Sequence, residues 1–353
     1  MKPAYKLAKK ILFHFTPEQA HHLTISNLDW VTQLGLHKLV TREFAEDPIE
    51  LMGLRFPNTI GLAAGMDKDG EHVTAFGALG FGSVEIGTVT PKGQPGNPKP
   101  RCFRLVDEGA IINRMGFNNY GALQVQKNLQ SARAFRNRGG IVGVNIGKNK
   151  VTPNELALED YKKCMDRLYD AGDYLAINIS SPNTPNLRAL QASSELDHLL
   201  GGIAQKRKEL QEQKNGLYVP IAVKIAPDLT DDQVLEAIDR IVEHGMDAVI
   251  CTNTTIDRQK ISGHRLEKET GGLSGRPLME RSTFVTRLAS EHLKGQLPII
   301  ASGGVMSAGD AVAKMEAGAS IVQLYTGFIF QGPELIADCV EAIASWRKEH
   351  KNS

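Results

Sequence analysis

The chain has 353 residues, of which 41% are hydrophobic and 23% are charged. This composition is typical of a globular protein with a large core, and it excludes a disordered or collagen-like chain. The 41 basic and 40 acidic residues nearly cancel, so no overall field favours a nucleic-acid partner, and no motif that reads RNA or DNA is present. No apolar segment approaches the length of a bilayer span, and the N-terminus lacks a secretory signal.

The cysteines are Cys102, Cys164, Cys251 and Cys339, and they lie far apart, with no CxxC pair and no histidine at ligand spacing. This pattern argues against structural zinc, an iron–sulfur cluster and a disulfide framework. We therefore expect no metal ion and four reduced cytosolic thiols in the core.

Two short amphipathic helices are predicted at the start of the chain. The second runs from 17 to 39 and carries a series of apolar residues, including Trp30. On composition alone, both helices could simply pack on the rest of the protein. One face of the first helix collects apolar side chains: Leu7, Ala8, Ile11, Leu12 and Phe15.

From Asn58 onward one pattern recurs eight times: a short apolar run, a polar loop and a helical segment such as 231–244 or 308–317. Buried parallel strands have such near-continuous apolar runs, and their alternation with helices favours a parallel α/β fold. Eight runs predict a closed (β/α)8 barrel, the TIM barrel, with an N-terminal helical extension, rather than an open doubly wound sheet. The predicted strands are 58–65, 81–90, 140–147, 174–181, 220–227, 248–255, 298–305 and 320–328.

We expect two domains, a helical extension at 1–45 and the barrel at 46–353. The longest insertion into the barrel is 91–138. Two apolar runs in it flank the turn at 107–110, and this arrangement predicts a hairpin over one barrel mouth.

Polar side chains gather where the predicted strands end, and barrels of this kind have their active sites there. In YLAINISSPNTP (174–185) an apolar run ends in a cluster of small polar residues, although a solvated turn after a strand would look the same. Lys224 lies within the apolar run IAVKIAP, and lysine is seldom buried without an anionic partner. It points to a bound anion or an electron-rich ring; the alternative is a lysine that extends to solvent from a strand edge.

Glycine-lined loops follow the last strands, at 271–275, 302–304 and 325–327. Their backbone N–H groups can approach a phosphate closely, and barrels commonly bind phosphate after strands seven and eight. No GxGxxG follows the first strand and no GxxxxGK[ST] is present, so neither a Rossmann site nor a P-loop is supported. Flavin mononucleotide (FMN) fits better.

Eight motifs resemble dihydroorotate dehydrogenases of the membrane-associated, quinone-reducing class 2: AAGMDK, INRMGF, GVNIGKNK, NISSPNTP, IAVKIAPDL, TNTT, GGLSG and SGGV. The resemblance covers essentially the whole chain. It implies an enzyme of de novo pyrimidine biosynthesis that oxidises (S)-dihydroorotate to orotate with FMN and passes the electrons to a membrane quinone. It also implies a peripheral protein on the cytoplasmic face of the cell inner membrane, with the N-terminal helices docked in the membrane interface.

Carried over position by position, the resemblance assigns residues to each ligand. The quinone tunnel residues are His21, Arg104 and Tyr325. The FMN-binding residues are Ala64, Gly65, Met66, Asp67, Lys68, Thr88, Asn145, Asn178, Lys224, Thr252, Gly275, Gly304, Tyr325 and Thr326. The substrate-binding residues are Lys68, Asn113, Arg114, Met115, Gly116, Phe117, Asn178, Asn183, Asn253 and Thr254.

The catalytic residues implied by the resemblance are Ser181, Thr184 and Lys224. Ser181 is the base that removes the C5 proton of dihydroorotate while a hydride leaves C6 for flavin N5; class 1 relatives have cysteine there. A serine hydroxyl is a poor base in water, so we expect activation through Thr184 and a relay water under a closed loop. Lys224 stabilises charge at the N1/O2 edge of the flavin, Lys68 neutralises the substrate carboxylate, and the asparagines bind the amide edges of the ring.

One position departs from the family pattern, because the family usually has glycine where this chain has Asn186. Asparagine tolerates a positive φ better than most residues, so we expect the loop to close normally. Two alternative functions stay open. A soluble FMN dehydrogenase using fumarate or NAD is disfavoured by Ser181 and the amphipathic N-terminus, and a non-catalytic phosphate-binding barrel would yield a protein without yellow colour.

Overall fold

The computed structural model describes residues 2–351. Two helices begin the chain, α1 (Pro3–Leu12) and α2 (Pro17–Gln33). The side chain of Thr16 caps α2 by accepting a hydrogen bond from the backbone N–H of Gln19. The prediction of two N-terminal helices is confirmed, but α1 ends before Phe15, which lies in the link between them.

Eight parallel strands close into a barrel, and two small antiparallel sheets lie outside it. The predicted (β/α)8 barrel is therefore confirmed. The strands in chain order are β1 (Ile49–Leu51), β2 (Leu54–Phe56), β3 (Ile60–Leu62), β4 (Ser83–Val89), β5 (Cys102–Leu105), β6 (Ala110–Asn113), β7 (Ile141–Ile146), β8 (Tyr174–Asn178), β9 (Ile221–Ile225), β10 (Ala248–Cys251), β11 (Gly272–Gly275), β12 (Ile299–Ser302) and β13 (Ile321–Leu324).

The barrel order is β3-β4-β7-β8-β9-β10-β12-β13, with β13 pairing back to β3. Every residue of these eight strands is buried, because one face fills the barrel interior and the other packs against helices. Several predicted runs extend past the observed strands. The chain leaves the ladder after Asn178 in β8 and after Cys251 in β10, so the polar residues that follow form the rim of the barrel mouth.

The helices that surround the barrel include the two predicted ones, 231–244 and 308–317, to within a residue. None of the helices among residues 2–351 is long and apolar enough to span a bilayer. After α2 the helices are α3 (Val73–Ala78), α4 (Ala122–Asn128), α5 (Arg133–Arg136), α6 (Ala157–Leu168), α7 (Ser193–Gln213), α8 (Asp231–Glu243), α9 (Met279–Leu293), α10 (Ala308–Glu316), α11 (Thr326–Gln331) and α12 (Glu334–Lys351).

The hairpin predicted within 91–138 is present as β5 and β6, but it is part of a larger sheet. β11 pairs antiparallel with β6, with Leu273 opposite Ile112. The GGLSG segment, predicted to be a glycine loop, is therefore largely a strand. A Cβ on Gly275 would lie 2.2 Å from the carbonyl oxygen of Gly109, so the close approach of the two backbones requires glycine there.

The N-terminal end of the barrel is closed by the short hairpin β1–β2, which the sequence analysis did not predict. Leu51 and Phe56 of this hairpin pack against Tyr174, Ile250 and other buried residues of the barrel strands. Because this end is filled with apolar side chains, the polar cavity of the molecule lies at the opposite end, where the strands terminate.

Candidate active site

A cavity with an empty volume of about 1010 Å³ opens at the C-terminal end of the barrel. Strand ends form its floor, and residues of the β5–β6–β11 sheet and its flanking loops form part of its wall. Most of the residues predicted to bind cofactor or substrate line it. These are Ala64, Gly65, Lys68, Thr88, Asn113, Met115, Gly116, Phe117, Asn178, Ser181, Asn183, Lys224, Thr252, Asn253, Thr254, Gly275, Gly304, Tyr325 and Thr326.

Three predicted FMN-binding residues do not line it: Asn145, described below, and Met66 and Asp67. Met66 lines a second cavity beneath the N-terminal helices. The buried carboxylate of Asp67 accepts hydrogen bonds from the backbone N–H groups of Glu71 and His72, at 3.0 and 2.9 Å. Burial raises the pKa of Asp67. This carboxylate therefore shapes the loop after β3 and does not line the cavity.

Arg114 and Thr184 are also outside the cavity wall. The guanidinium of Arg114 forms an ion pair with Glu269 at 2.6 Å and lies over the ring of Phe103, so it joins the β5–β6 hairpin to the loop before β11. The hydroxyl of Thr184 is buried and has no hydrogen-bond partner among residues 2–351. This hydroxyl can therefore form a hydrogen bond with a ligand or water molecule bound in the loop after β8.

Glu85 is the most important residue that the sequence analysis missed. Its carboxylate is fully buried in the barrel interior and accepts hydrogen bonds from Asn145 Nδ2 at 2.8 Å, Tyr174 Oη at 2.9 Å and Gln323 Nε2 at 2.8 Å. The ammonium of Lys224 lies 3.8 Å from the same carboxylate. Lys224 therefore has a protein anion as its partner, and the expectation that a ligand must supply that anion was incomplete.

Predicted polar residues at the strand ends form one directed hydrogen-bond chain that starts at Glu85. A carboxylate is an acceptor only, so Asn145 must present its Nδ2 to it and its Oδ1 to the Thr88 hydroxyl, at 2.6 Å. Asn178 then donates to Thr88 Oγ1 at 2.8 Å, and Asn253 donates to Asn178 Oδ1 at 3.4 Å. Asn145 thus supports the cavity wall from behind, although it does not line the cavity.

Ser181 lies at the cavity wall just after β8, with only 6% of its surface exposed. Its Oγ accepts a hydrogen bond from the backbone N–H of Asn183 at 3.2 Å. No direct hydrogen bond joins the side chains of Ser181 and Thr184 within residues 2–351. In the same loop Asn186 adopts a φ of 56°. This is the positive φ that asparagine was expected to tolerate in place of the family's usual glycine.

Lys68 lies between the mouth of the barrel and the second cavity. Burial lowers the pKa of its ammonium. Within the described residues the ammonium has no hydrogen-bond or ion-pair partner, so it can bind an anionic group from either cavity.

At the opposite side of the mouth the wall is made of backbone. Gly303 and Gly304 have φ values of 113° and 83°, and a Cβ on Gly304 would lie 2.2 Å from the Cα of Met279. The hydroxyl of Thr326 donates to Ser274 at 2.8 Å. Glycine N–H groups beside hydroxyls are suited to an anion of phosphate size. The donor set therefore fits a flavin nucleotide, with its phosphate here and Lys224 at the far side.

A second and more apolar cavity, with an empty volume of about 2080 Å³, lies between the N-terminal helices and the barrel. The three predicted tunnel residues, His21, Arg104 and Tyr325, all line it. Burial lowers the pKa of His21 to about 3. Cys102 also lines this cavity, so it is not the core thiol that the sequence analysis expected. The residues common to both cavities are Lys68, Asn113, Met115 and Tyr325.

Two side-chain contacts hold α2 over this second cavity. Glu18 forms an ion pair with Arg101 at 2.7 Å, and the carboxylate of Asp29 is hydrogen-bonded to Nδ1 of His72 at 2.6 Å. Large apolar side chains of the N-terminal segment that do not line this cavity are exposed: Leu7, Phe15, Trp30, Leu34, Leu36 and Leu39. The helices thus present one apolar face to the cavity and a second apolar surface to the outside.

A (β/α)8 barrel with a glycine-lined anion site and an amide-lined pocket at one mouth is the architecture of a flavin-dependent oxidoreductase. More specifically, the chain belongs to the dihydroorotate dehydrogenase family, whose family model, described as "Dihydroorotate dehydrogenase", matches residues 48–346. This family is flavin-dependent.

Relatives match along nearly the whole chain. A protein of Teredinibacter turnerae named dihydroorotate dehydrogenase (quinone) is 52% identical over 341 residues, which are 97% of this chain and 99% of the relative. A protein of Akkermansia muciniphila with the same name is 49% identical, over 99% of this chain and 100% of the relative. The crystal structure of DHODH from Eimeria tenella in complex with ferulenol is similar with a TM-score of 0.87 and 38% identity, over 95% of this chain and 93% of that one.

Proposed function

We propose that this chain oxidises (S)-dihydroorotate to orotate in de novo pyrimidine biosynthesis, with FMN as the cofactor and a membrane quinone as the electron acceptor. The observation that supports this most directly is the contact between two cavities of different chemistry. One is polar, amide-lined and at the barrel mouth, and the other is apolar and beneath α1 and α2; Lys68, Asn113, Met115 and Tyr325 line both. A polar substrate and an apolar electron acceptor can therefore reach one cofactor from separate sides.

The residues at the barrel mouth suit FMN in particular. The Gly303–Gly304 loop and the Thr326 hydroxyl would hold the phosphate, and Lys224 would lie beside the ring system. When bound, FMN supplies a two-electron acceptor for the hydride that leaves C6 of dihydroorotate.

Residues of the chain itself would bind and orient the substrate and move its proton. Lys68, whose ammonium has no hydrogen-bond or ion-pair partner among residues 2–351, would neutralise the substrate carboxylate, and the amides of Asn178 and Asn253 would orient the pyrimidine ring. Ser181 Oγ would take the C5 proton while its own proton passes through a relay water toward Thr184, whose buried hydroxyl has no hydrogen-bond partner among the described residues. Because Ser181 is largely buried, bulk water would have little access to the position where the proton moves.

The quinone would enter through the second cavity. Arg104 lines it, and the Nε of this side chain is buried and has no hydrogen-bond partner in the part of the chain that the structure describes. Such a donor is suited to a quinone oxygen. Residues 1–45 would thus form the quinone-binding domain and 46–353 the catalytic domain.

The exposed apolar surface of α1 and α2 supports a peripheral position on the cytoplasmic face of the inner membrane. Leu7 is 63% exposed and Trp30 is 57% exposed, which is unusual for side chains of this size unless a surface covers them. Lys6 and Lys10 on α1 would contact anionic headgroups, whereas the ammonium of Lys9 donates to the carbonyl oxygen of Phe330 at 3.0 Å. Co-sedimentation with anionic lipid vesicles tests this: the full chain should pellet with vesicles, and a Leu7→Ser/Trp30→Ser variant should stay in the supernatant.

The function is tested by measuring orotate formation with a short-chain ubiquinone, fumarate or NAD as the sole acceptor. We expect rapid turnover with the quinone only, and a protein that is yellow with one FMN per chain. Turnover with fumarate or NAD at a comparable rate would contradict the choice of acceptor. A colourless protein that forms no orotate would favour a non-catalytic barrel.

A further inference from the structure

A fully buried lysine, Lys314 of α10, lies behind the glycine loop and takes no part in the chemistry above. Its Nζ donates a hydrogen bond to Ser282 Oγ at 2.6 Å, and Ser282 Oγ donates to the carbonyl oxygen of Gly303 at 2.8 Å. The side chain has 0% exposure. Within the described part of the chain, 2–351, Lys314 forms no ion pair with a carboxylate. A buried ammonium without an anion is costly and calls for a compensating charge.

The surroundings of Lys314 add to this cost. Ser282 lies in the first turn of α9, where the helix dipole creates a positive potential. The backbone of Met279, at the start of the same helix, packs directly against Gly304. A cation, a helix N-terminus and a glycine loop rich in N–H groups therefore converge. The carboxylate of Asp310 on the same helix acts on Lys314 electrostatically but forms no ion pair with it within residues 2–351. Burial lowers the pKa of Lys314 to about 7, as expected for an ammonium in such a place.

We infer that Lys314 is a positioning residue for the cofactor phosphate: its buried positive charge, linked through Ser282 to the Gly303–Gly304 loop, compensates the charge of the bound phosphate. The lysine does not touch the cofactor in this scheme. It holds the loop through the Ser282 hydroxyl and adds to the field that an anion meets in the cavity. The inference rests on the proposed function, in which the cofactor is a flavin with a phosphate group.

This role predicts a pattern that a purely structural lysine would not produce. If Lys314 only filled space and made a hydrogen bond, its removal would weaken the protein and every ligand alike. If it compensates a phosphate, its removal should weaken binding of FMN but not of riboflavin, which has the same ring system and lacks the phosphate. Below pH 7, where Lys314 carries its proton, the protein without flavin should then become more stable, because an uncompensated buried charge is gone.

The experiment compares the wild-type full chain with Lys314→Met, which keeps the length of the side chain, and with Met315→Leu as a matched control on the same helix. After flavin removal, the Kd values of FMN and riboflavin are measured by flavin fluorescence, and thermal unfolding is recorded without flavin below pH 7. For Lys314→Met we expect the Kd of FMN to rise by about tenfold or more, the Kd of riboflavin to change by less than about twofold, and the unfolding temperature to rise. Met315→Leu should match the wild type.

Ser282→Ala provides an independent arm, because it removes the hydroxyl that links the lysine to the loop. Ser282→Ala should raise the Kd of FMN, but not that of riboflavin, by a smaller factor than Lys314→Met does. FMN should also be released faster from the diluted holoenzyme of this variant. An unchanged Kd of FMN in both variants, or an equal rise in the Kd values of FMN and riboflavin, would overturn the inference while leaving the proposed function intact. A wild-type protein that binds neither flavin would overturn the proposed function itself.

Discussion

The ammonium of Lys224 and the carboxylate of Glu85 lie 3.8 Å apart in the interior of the barrel. The two residues are distant in sequence and lie on strands that are not neighbours in the barrel, β9 and β4. The closure of the sheet brings their side chains together. The pair gives the floor of the active site a fixed cation and a fixed anion. The cation faces the cavity, and the anion orients the amides that surround it.

Removing the carboxylate should therefore affect both stability and the site. In Glu85→Gln the Lys224 charge is left buried without an anion, so we expect the free energy of unfolding to fall by about 3 kcal/mol. Urea unfolding of the flavin-free chain measures this. The double variant Glu85→Gln/Lys224→Met should recover part of the loss, because no unpaired charge remains. A loss in the double variant equal to the sum of the losses in Glu85→Gln and in Lys224→Met would show that the two groups do not interact.

The lysine should matter more for the cofactor than for the fold. Lys224→Ala removes the cation that faces the flavin site, so we expect weaker flavin retention or slower flavin reduction, by about tenfold or more. The readouts are the flavin content after gel filtration and the rate of absorbance loss on mixing with dihydroorotate. Lys260→Ala, an exposed lysine paired with Glu280, is the control. A fully loaded and fully active Lys224→Ala protein would show that the lysine is dispensable.

Arg104 allows the two half-reactions to be separated. Arg104→Leu removes a cation from the apolar cavity and leaves the barrel mouth untouched, so the KM for the quinone should rise about tenfold or more while flavin reduction by dihydroorotate stays at the wild-type rate. Arg55→Leu, at an exposed position far from both cavities, should alter neither step. Loss of flavin reduction by dihydroorotate in Arg104→Leu would contradict the proposal that dihydroorotate binds at the barrel mouth and the quinone binds in the second cavity.

His21 should make the fold sensitive to acid. Its pKa is about 3 in the folded protein because of burial, whereas an exposed histidine has a pKa of 6.5. The unfolded chain therefore binds the proton first, and the stabilisation from neutral His21 is complete above pH 6.5 and is lost as the pH falls toward 3. Relative to His21→Leu, the wild type should lose up to about 1.4 kcal/mol of unfolding free energy per pH unit below 6.5. Parallel stability curves for the two proteins between pH 7 and pH 5 would contradict this.

The barrel could be predicted from the sequence because all eight strands are buried on both faces. Each one is therefore a continuous apolar run that stands out from the helices around it. The strands of the small sheets gave weaker signals. The three residues of β1 and of β2 are too few to show a period, and the glycines of β11 look like a loop until β6 pairs with them.

Much of the candidate site could be predicted as well, since its residues follow the strands at intervals that the barrel brings together. The residues that support the site from behind could not be predicted from the sequence. Glu85 is visible as a charged residue inside the apolar run 81–90, but its partners come from four other strands. Arg114 is predicted to contact the substrate because it lies inside a matching motif, but its ion pair with Glu269 could not be predicted, because Glu269 comes from a distant loop. Contacts of this kind depend on tertiary structure alone.

The central claim is that dihydroorotate is oxidised at the barrel mouth with Ser181 as the base, and anaerobic stopped-flow mixing tests it most directly. The wild type and Ser181→Ala, both loaded with flavin, are mixed with dihydroorotate while flavin absorbance is followed; dithionite serves as a reductant that needs no base. We expect rapid bleaching in the wild type, bleaching slowed by at least about a hundredfold in Ser181→Ala, and equal reduction of both by dithionite. Equal rates of bleaching by dihydroorotate in the two proteins would contradict the account.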